Sequence, residues 1–169
     1  MQIINGSIED INAIFKLYDE AISFQKTKFD KHWQGFERSL VETEINENRQ
    51  WKIVIDEQIA CIFAITFDDE LIWGNKNNEP ALYIHRIVTN PMFRGKHLVK
   101  IIIEWAKDFC KKHNKQFIRM DTWGDNESLT TYYQSCGFKF LGLTTLQKSE
   151  GLPKHYEGAH LSLFEIKVY

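Results

Sequence analysis

Cysteine is scarce in this chain and poorly spaced for chemistry. Only Cys61, Cys110 and Cys136 occur, an odd number with no CxxC pair. That excludes a disulfide framework and a cysteine-built zinc site. Cys61 lies in an apolar run and is expected in the core. An excess of one charge sign is also lacking: 21 basic residues face 23 acidic ones, a net charge of −2, which argues against wholesale binding to nucleic acid or a membrane surface. No apolar run approaches the roughly 20 residues of a membrane span, and no basic-then-apolar leader opens the chain. The glycine signatures GxGxxG and GxxxxGK[ST] are missing, which disfavours a nucleotide-binding α/β protein. Linkers, repeats and low-complexity tracts are absent too. A reduced, cytoplasmic protein is expected, in a single domain over 1–169. Its 43% hydrophobic and 14% aromatic residues suffice for a core without staples.

What is present centres on Tyr83 to Lys96, YIHRIVTNPMFRGK. Ile84, Ile87 and Val88 have the composition of a buried strand. Thr89-Asn90-Pro91 breaks it, because Pro91 has no N–H for a ladder and pushes Asn90 away from helix. After Arg94-Gly95-Lys96 a helical period begins with Leu98, Ile101, Ile102, Trp105 and Phe109. A strand therefore runs through a basic turn into a helix N-terminus, whose unpaired N–H groups and dipole favour an anion. Between Arg94 and Lys115 seven basic residues face only Glu104 and Asp108, a local bias that suits phosphates.

The other elements follow from pattern. Gln2-Ile3-Ile4 reads as a strand, and Ser7 as an N-cap before a stripe of Ile11, Ile14, Phe15, Tyr18 and Ile22. A second helix is expected over about Lys31–Ile45, through Trp33, Phe36, Leu40 and Val41. Trp51–Ile55 and Ile59–Phe67 form a hairpin about Asp56-Glu57-Gln58. Asp68–Pro80 reads as an exposed loop. Phe117–Thr122 is a strand, and Asp125 or Asn126 caps a short helix closed by Gly137. Phe138–Leu143 and Leu161–Val168 are strands about a polar loop over Gln147–Gly158. The order β-α-α-β-β-β-α-β-α-β-β predicts an α/β fold, a mixed sheet flanked by helices.

That order, with PxxRGK at a strand-to-helix turn and N-x6-Y-x3-GF downstream, resembles the GCN5-related N-acetyltransferases. The resemblance spans nearly the whole chain in element order, and its specific residues lie in Tyr83–Phe138. It implies a GNAT-like fold and an acetyl-coenzyme A-dependent transfer to a primary amine of a small molecule or peptide, by direct attack in a ternary complex. The implied coenzyme residues are Ile87 and Val88 on the strand, with an amide there for the oxyanion. Arg94, Gly95, Lys96, His97, Leu98 and Val99 follow on the turn, and Asn126 lies downstream. The family's two loop glycines fall on His97 and Val99, so this sequence departs from the pattern there. Tyr133, four residues before Gly137-Phe138, takes the position that protonates the leaving thiolate. A phenol, with pKa near 10, can donate to a thiolate whose acid has pKa near 8.5.

The base is less defined. The family's strand glutamate has no counterpart, and His85, whose imidazole titrates in the right range, is the candidate. Asp121 and Glu157 are alternatives. Arg86 is expected either to anchor an acidic substrate or to pair with Asp121. Trp33, Phe36, Trp123 and the run Leu152–Tyr156 are candidates for the acceptor pocket, with ordinary packing as the other reading of each. No metal is expected. The partner is an amine substrate, with a homodimer allowed and neither nucleic acid nor membrane. The competing reading is a GNAT-shaped binding module with a weakened coenzyme site.

Overall fold

The structure is a computed structural model that describes residues 1–124, 126–147 and 150–169. Seven strands form one mixed sheet in the order β1-β2-β3-β4-β5-β7-β6. They are β1 (Gln2–Asn5), β2 (Gln50–Ile55), β3 (Gln58–Thr66), β4 (Ala81–Thr89), β5 (Phe117–Trp123), β6 (Lys139–Thr145) and β7 (His160–Lys167). The helices are α1 (Ile11–Lys28), α2 (Arg38–Asn46), α3 (Glu70–Trp73), α4 (Leu98–Lys112) and α5 (Glu127–Ser135). The expected order is observed, with α3 added. The chain forms two compact units, Met1–Ile65 with Arg86–Leu98, and Thr66–His85 with Val99–Tyr169.

In the first unit β1 and β3 pair antiparallel with β2. The β2–β3 turn falls on Asp56 and Glu57, both at positive φ (48° and 64°), the geometry that matches a turn to the twist of its hairpin. Ile11, Ile14, Leu17 and Tyr18 of α1 bury against Val41 and Ile45 of α2, Ile62 and Val88, each removed from water at a gain of about 1.5–3 kcal/mol. The second helix begins at Arg38, seven residues later than the apolar spacing implied. Gly35, at φ +105°, is outside helical space. Trp33 and Phe36 instead stack edge-on with each other, and both rings contact Tyr18. Ser7 starts the first helical segment as expected, its N–H donating to Asp10 Oδ2 at 2.7 Å.

In the second unit β4 pairs parallel with β5, Tyr83 opposite Arg119, and β7 inserts antiparallel between β5 and β6. The stretch 68–80 is not the exposed loop its polarity suggested. Ile72 and Trp73 bury with Ala81, Tyr83 and Leu161, and their burial folds the segment into α3 and a 3-10 turn over Gly74–Asn78. The late loop likewise holds a 3-10 turn, Lys154–Tyr156, with His155 buried. Lys148 and Ser149 lie outside the described residues. Asn126 caps α5, its side chain accepting from Leu129 N–H at 3.0 Å; Asp125, the alternative cap, lies outside the described residues. Gly137 follows the helix at φ +103°, the left-handed closure that glycine permits.

A buried arginine braces the parallel pair. The Arg119 side chain is 0% exposed. Its Nε donates to Glu165 at 2.8 Å, and Nη1 donates to the Lys76 carbonyl at 2.6 Å and to the Tyr83 hydroxyl at 3.3 Å. Nη2 pairs with Glu79, and the guanidinium lies over the Trp73 and Phe117 rings. Every hydrogen-bonding edge of this buried cation is engaged, which is what makes its burial tolerable.

Candidate active site

Within the first unit, β4 runs into the basic turn as the sequence implied. Asn90 organises the turn. Its N–H donates to the Ala60 carbonyl and its Nδ2 to the Ile59 carbonyl, both at 2.9 Å, while Oδ1 accepts from Met92 N–H at 3.1 Å. Sequence reasoning cast Asn90 only as the residue before a proline; the signal available was an Asx residue at a strand end. Arg94, Gly95, Lys96 and His97 are exposed, whereas Leu98 and Val99, at the start of α4, are buried. Those last two can offer a ligand only their backbone. Arg94 is steadied by stacking its guanidinium 4.7 Å from the Phe24 ring, a cation–π contact.

The turn has glycine geometry where the sequence lacks glycine. Gly95 has φ +80° and His97 has φ +53°. His97 therefore takes, at a cost of about 1–2 kcal/mol, the left-handed conformation that glycine adopts freely. No atom lies within 4 Å of where a Cβ on Gly95 would stand. The turn is thus open on that side, and its amides are accessible to an anion. Upstream, Val88 is buried in the α1–α2 core and Ile87 is half-buried.

Arg86 also sits at positive φ (51°) in the middle of β4, rare for a non-glycine residue and costly unless its surroundings enforce it. They do. Its guanidinium pairs with buried Glu44 of α2, donates to Tyr18 Oη at 3.2 Å and lies over the Phe36 ring at 5.1 Å. The expected pairing of Arg86 with Asp121 is therefore wrong: Arg86 is tied to α2, because the left-handed step in β4 redirects its side chain.

Within the second unit the residue before that step, His85, lies between two carboxylates. Its Nε2 is 3.3 Å from Asp69 Oδ2 and its Nδ1 3.8 Å from Asp121 Oδ1. The Asp69 and Asp121 side chains are 6% and 3% exposed, the imidazole 18%. The pairing of His85 with Asp121 follows from topology, since β4 and β5 are parallel with Tyr83 opposite Arg119 and side chains two residues on share the same face. Asp69 arrives from the turn into α3 and was not foreseen; nothing in a run of polar residues marks one as buried. Burial raises the Asp121 pKa to about 6, opposed by His85 and reinforced by Asp69. The three ligand-type atoms lie within 4.8 Å of one another. The two imidazole nitrogens face different carboxylates, however, a geometry for proton exchange more than for one cation held by all three.

Of the remaining candidates, Tyr133 on α5 is buried, its ring packed against Phe138 and Phe164. Asn126 spends its Oδ1 on the α5 cap. Glu157 is exposed. Trp123 packs against His155 and Tyr156 of the late turn. Burial pushes the Cys61 and Cys110 thiols up to about 12, so neither offers a thiolate nucleophile near neutral pH. Among the described residues no helix is long and apolar enough to cross a membrane.

Comparison with known proteins agrees with this geometry. The family described as "Acetyltransferase (GNAT) family" matches residues 11–138. An uncharacterized N-acetyltransferase of Bacillus subtilis, YesJ, is 22% identical over 142 residues, which are 79% of each chain. An acetyltransferase of the GNAT family from Listeria monocytogenes superposes with a TM-score of 0.76 at 23% identity, covering 98% of this chain and 94% of that one. The yncA protein of Salmonella typhimurium, solved with its cofactor acetyl-CoA, gives a TM-score of 0.69 at 11% identity over 100% of this chain and 94% of its own.

Proposed function

The chain belongs to the acetyltransferase (GNAT) family, and from that premise we propose that it is an N-acetyltransferase that moves the acetyl group of acetyl-coenzyme A to a primary amine. The acceptor is a small molecule or a peptide, attacking directly in a ternary complex. The chain acts as one domain over 1–169, in a reducing, cytoplasmic setting that suits three buried free thiols. The observation that carries this reading is the imidazole of His85 held between two buried carboxylates. An amine must lose its ammonium proton before it can attack, and an imidazole flanked by carboxylates is a base poised for that task.

The turn suits the coenzyme's phosphates. Arg94 and Lys96 supply charge, and the amides of Gly95, His97, Leu98 and Val99 supply donors at the positive end of α4. Backbone groups of Ile87 and Val88 bind the pantetheine arm and the oxyanion, and Asn126 lies near the same cosubstrate. Tyr133 gives its proton to the departing thiolate. The chemistry needs no metal.

The discriminating experiment is thermal unfolding with acetyl-coenzyme A and with free coenzyme A. A ligand that binds only the folded state at 100 times its Kd adds about 2.7 kcal/mol. Both should raise Tm, and Arg94→Ala should shrink that rise while leaving unliganded Tm unchanged. No rise at millimolar coenzyme would favour a GNAT-shaped binding module instead.

A further inference from the structure

Asp69 is in the wrong state for its position. It stands immediately before α3, at the N-cap, where an aspartate ordinarily turns its carboxylate back onto the first free N–H groups. Here the carboxylate makes no capping hydrogen bond. Its backbone is pinned on both sides instead. The Asp69 N–H donates to Asn77 Oδ1 at 2.7 Å, and its carbonyl accepts from Trp73 N–H at 2.9 Å and Ile72 N–H at 3.2 Å. The carboxylate is thus held away from the helix and aimed at His85 Nε2. Neither Asp69 Oδ2 nor Asp121 Oδ1 makes a hydrogen bond among the described residues, although both side chains are more than nine-tenths buried.

The local charge does not balance. Two carboxylates face one imidazole. The nearest buried cation, Arg119 on the next rung of β5, is engaged by Glu79, Glu165, the Lys76 carbonyl and Tyr83. Tyr83, two residues before His85 on β4, spends its hydroxyl on Arg119. Even with His85 charged, the cluster keeps one surplus negative charge, and buried charge without a partner is costly. The surplus is what a cationic ligand would neutralise.

We propose that Asp69 and Asp121 make His85 an ammonium-binding base: Asp69 accepts the Nε2–H, so that the Nδ1 lone pair faces Asp121, and the acceptor's ammonium binds between Nδ1 and Asp121. This rests on the acetyltransferase reading and names its substrate class, a primary alkylammonium without a carboxylate beside it. An α-amino acid would bring a third carboxylate into a site that already holds two. Asp121 is then a substrate-binding residue and Asp69 a positioning residue. The protons balance as follows. The ammonium passes one proton to Nδ1, giving an imidazolium that both carboxylates stabilise. The amine nitrogen attacks the thioester carbonyl, the C–N bond forms and the C–S bond breaks with its electron pair leaving on sulfur. The second nitrogen proton balances the one Tyr133 gives to that sulfur, and His85 releases the first to solvent.

The test uses the full chain and n-butylamine as probe, with norvaline, the same skeleton carrying an α-carboxylate, as control. Nitrogen-15 NMR of the imidazole should show His85 as its Nε2–H tautomer, with butylammonium shifting the Nδ1 resonance and norvaline leaving it in place. Asp69→Ala should scramble the tautomer and Asp69→Asn retain part of it, since an amide oxygen still accepts the Nε2–H. Asp121→Asn should abolish the butylammonium response in a protein whose circular dichroism is unchanged. In acetylation assays Asp121→Asn should raise KM for butylamine about tenfold or more, as expected for a lost charge-assisted hydrogen bond. Asp69→Ala should lower kcat by about tenfold or more, with KM little changed and the acidic limb of the pH profile displaced.

An Nδ1–H tautomer in the wild type, equal responses to the two amines, or a normal response in Asp121→Asn would overturn the proposal. The NMR arms need neither coenzyme nor turnover. Their failure alongside active acetylation removes only this inference, and their success without acetyl transfer removes only the enzyme reading.

Discussion

Backbone geometry at single residues controls both halves of the candidate site. His97 occupies a left-handed position that the turn into α4 requires and that a side chain resists. Replacing it with glycine relieves about 1–2 kcal/mol of strain, offset by roughly 0.5–1 kcal/mol of extra chain freedom in the unfolded state. Urea denaturation of His97→Gly should therefore show stability unchanged or raised by up to about 1 kcal/mol. Lys100→Gly, inside α4 on its exposed side, should lose about 1 kcal/mol. A loss in His97→Gly as large as that in Lys100→Gly would mean the strain is not real. At Tyr133 the substitution to phenylalanine removes one oxygen from a ring that packs against Phe138 and Phe164. If that hydroxyl protonates the thiolate, kcat and kcat/KM fall together by about 10²-fold while coenzyme still raises Tm. Full turnover on a good acceptor would return Tyr133 to packing alone.

Among elements, β4 and β5 carry the arrangement. Parallel pairing sets Tyr83 opposite Arg119 and so brings His85 and Asp121 onto one face. The Arg119 network locks that register from below, through Glu79, Glu165 and the 3-10 turn at Lys76. Arg119→Met keeps the volume and removes the charge. It leaves Glu165, with only 14% of its side chain exposed, without its partner, and breaking a buried pair typically costs about 3–5 kcal/mol. Thermal unfolding of Arg119→Met should show a loss near the low end, because Glu79 on the other side is 44% exposed and can rehydrate. A change below about 1 kcal/mol would show that β4 and β5 hold their register without the arginine.

For the molecule as a whole, Asp121 links stability to pH. Its folded pKa is about 6 against 3.8 for a free side chain, so the folded state holds the proton more tightly. Stability from this group is present in full below pH 3.8 and is lost as pH rises through 6. The gap of roughly two pH units corresponds to about 3 kcal/mol. Denaturation between pH 4 and pH 7 should show that fall superimposed on the other carboxylates, and the difference between wild type and Asp121→Asn should isolate it. A pH-independent difference would mean that Asp121 titrates as an ordinary carboxylate. An alkylammonium bound beside Asp121 should reduce the fall, since it neutralises the charge that burial penalises.

Local chemistry alone determined the order of strands and helices, the basic turn and the caps. A proline ends β4, an asparagine starts α5, glycine closes it, and apolar residues recur at the helical period; each acts over a few residues. The Trp33–Phe36 spacing mimicked that period and failed, because Gly35 breaks the helix and the core formed by α1 recruits both rings. Tertiary structure decided the rest. It took Ile72 and Trp73 out of a polar stretch, gave Arg86 to Glu44 in place of Asp121, and brought Asp69, His85 and Asp121 together. Asp69 and Asp121 are 52 residues apart, and only the parallel pairing of β4 with β5 and the folding of α3 make them neighbours. Burial then made two unremarkable aspartates into charges that lack a cation, which no reading of neighbours along the chain could reveal.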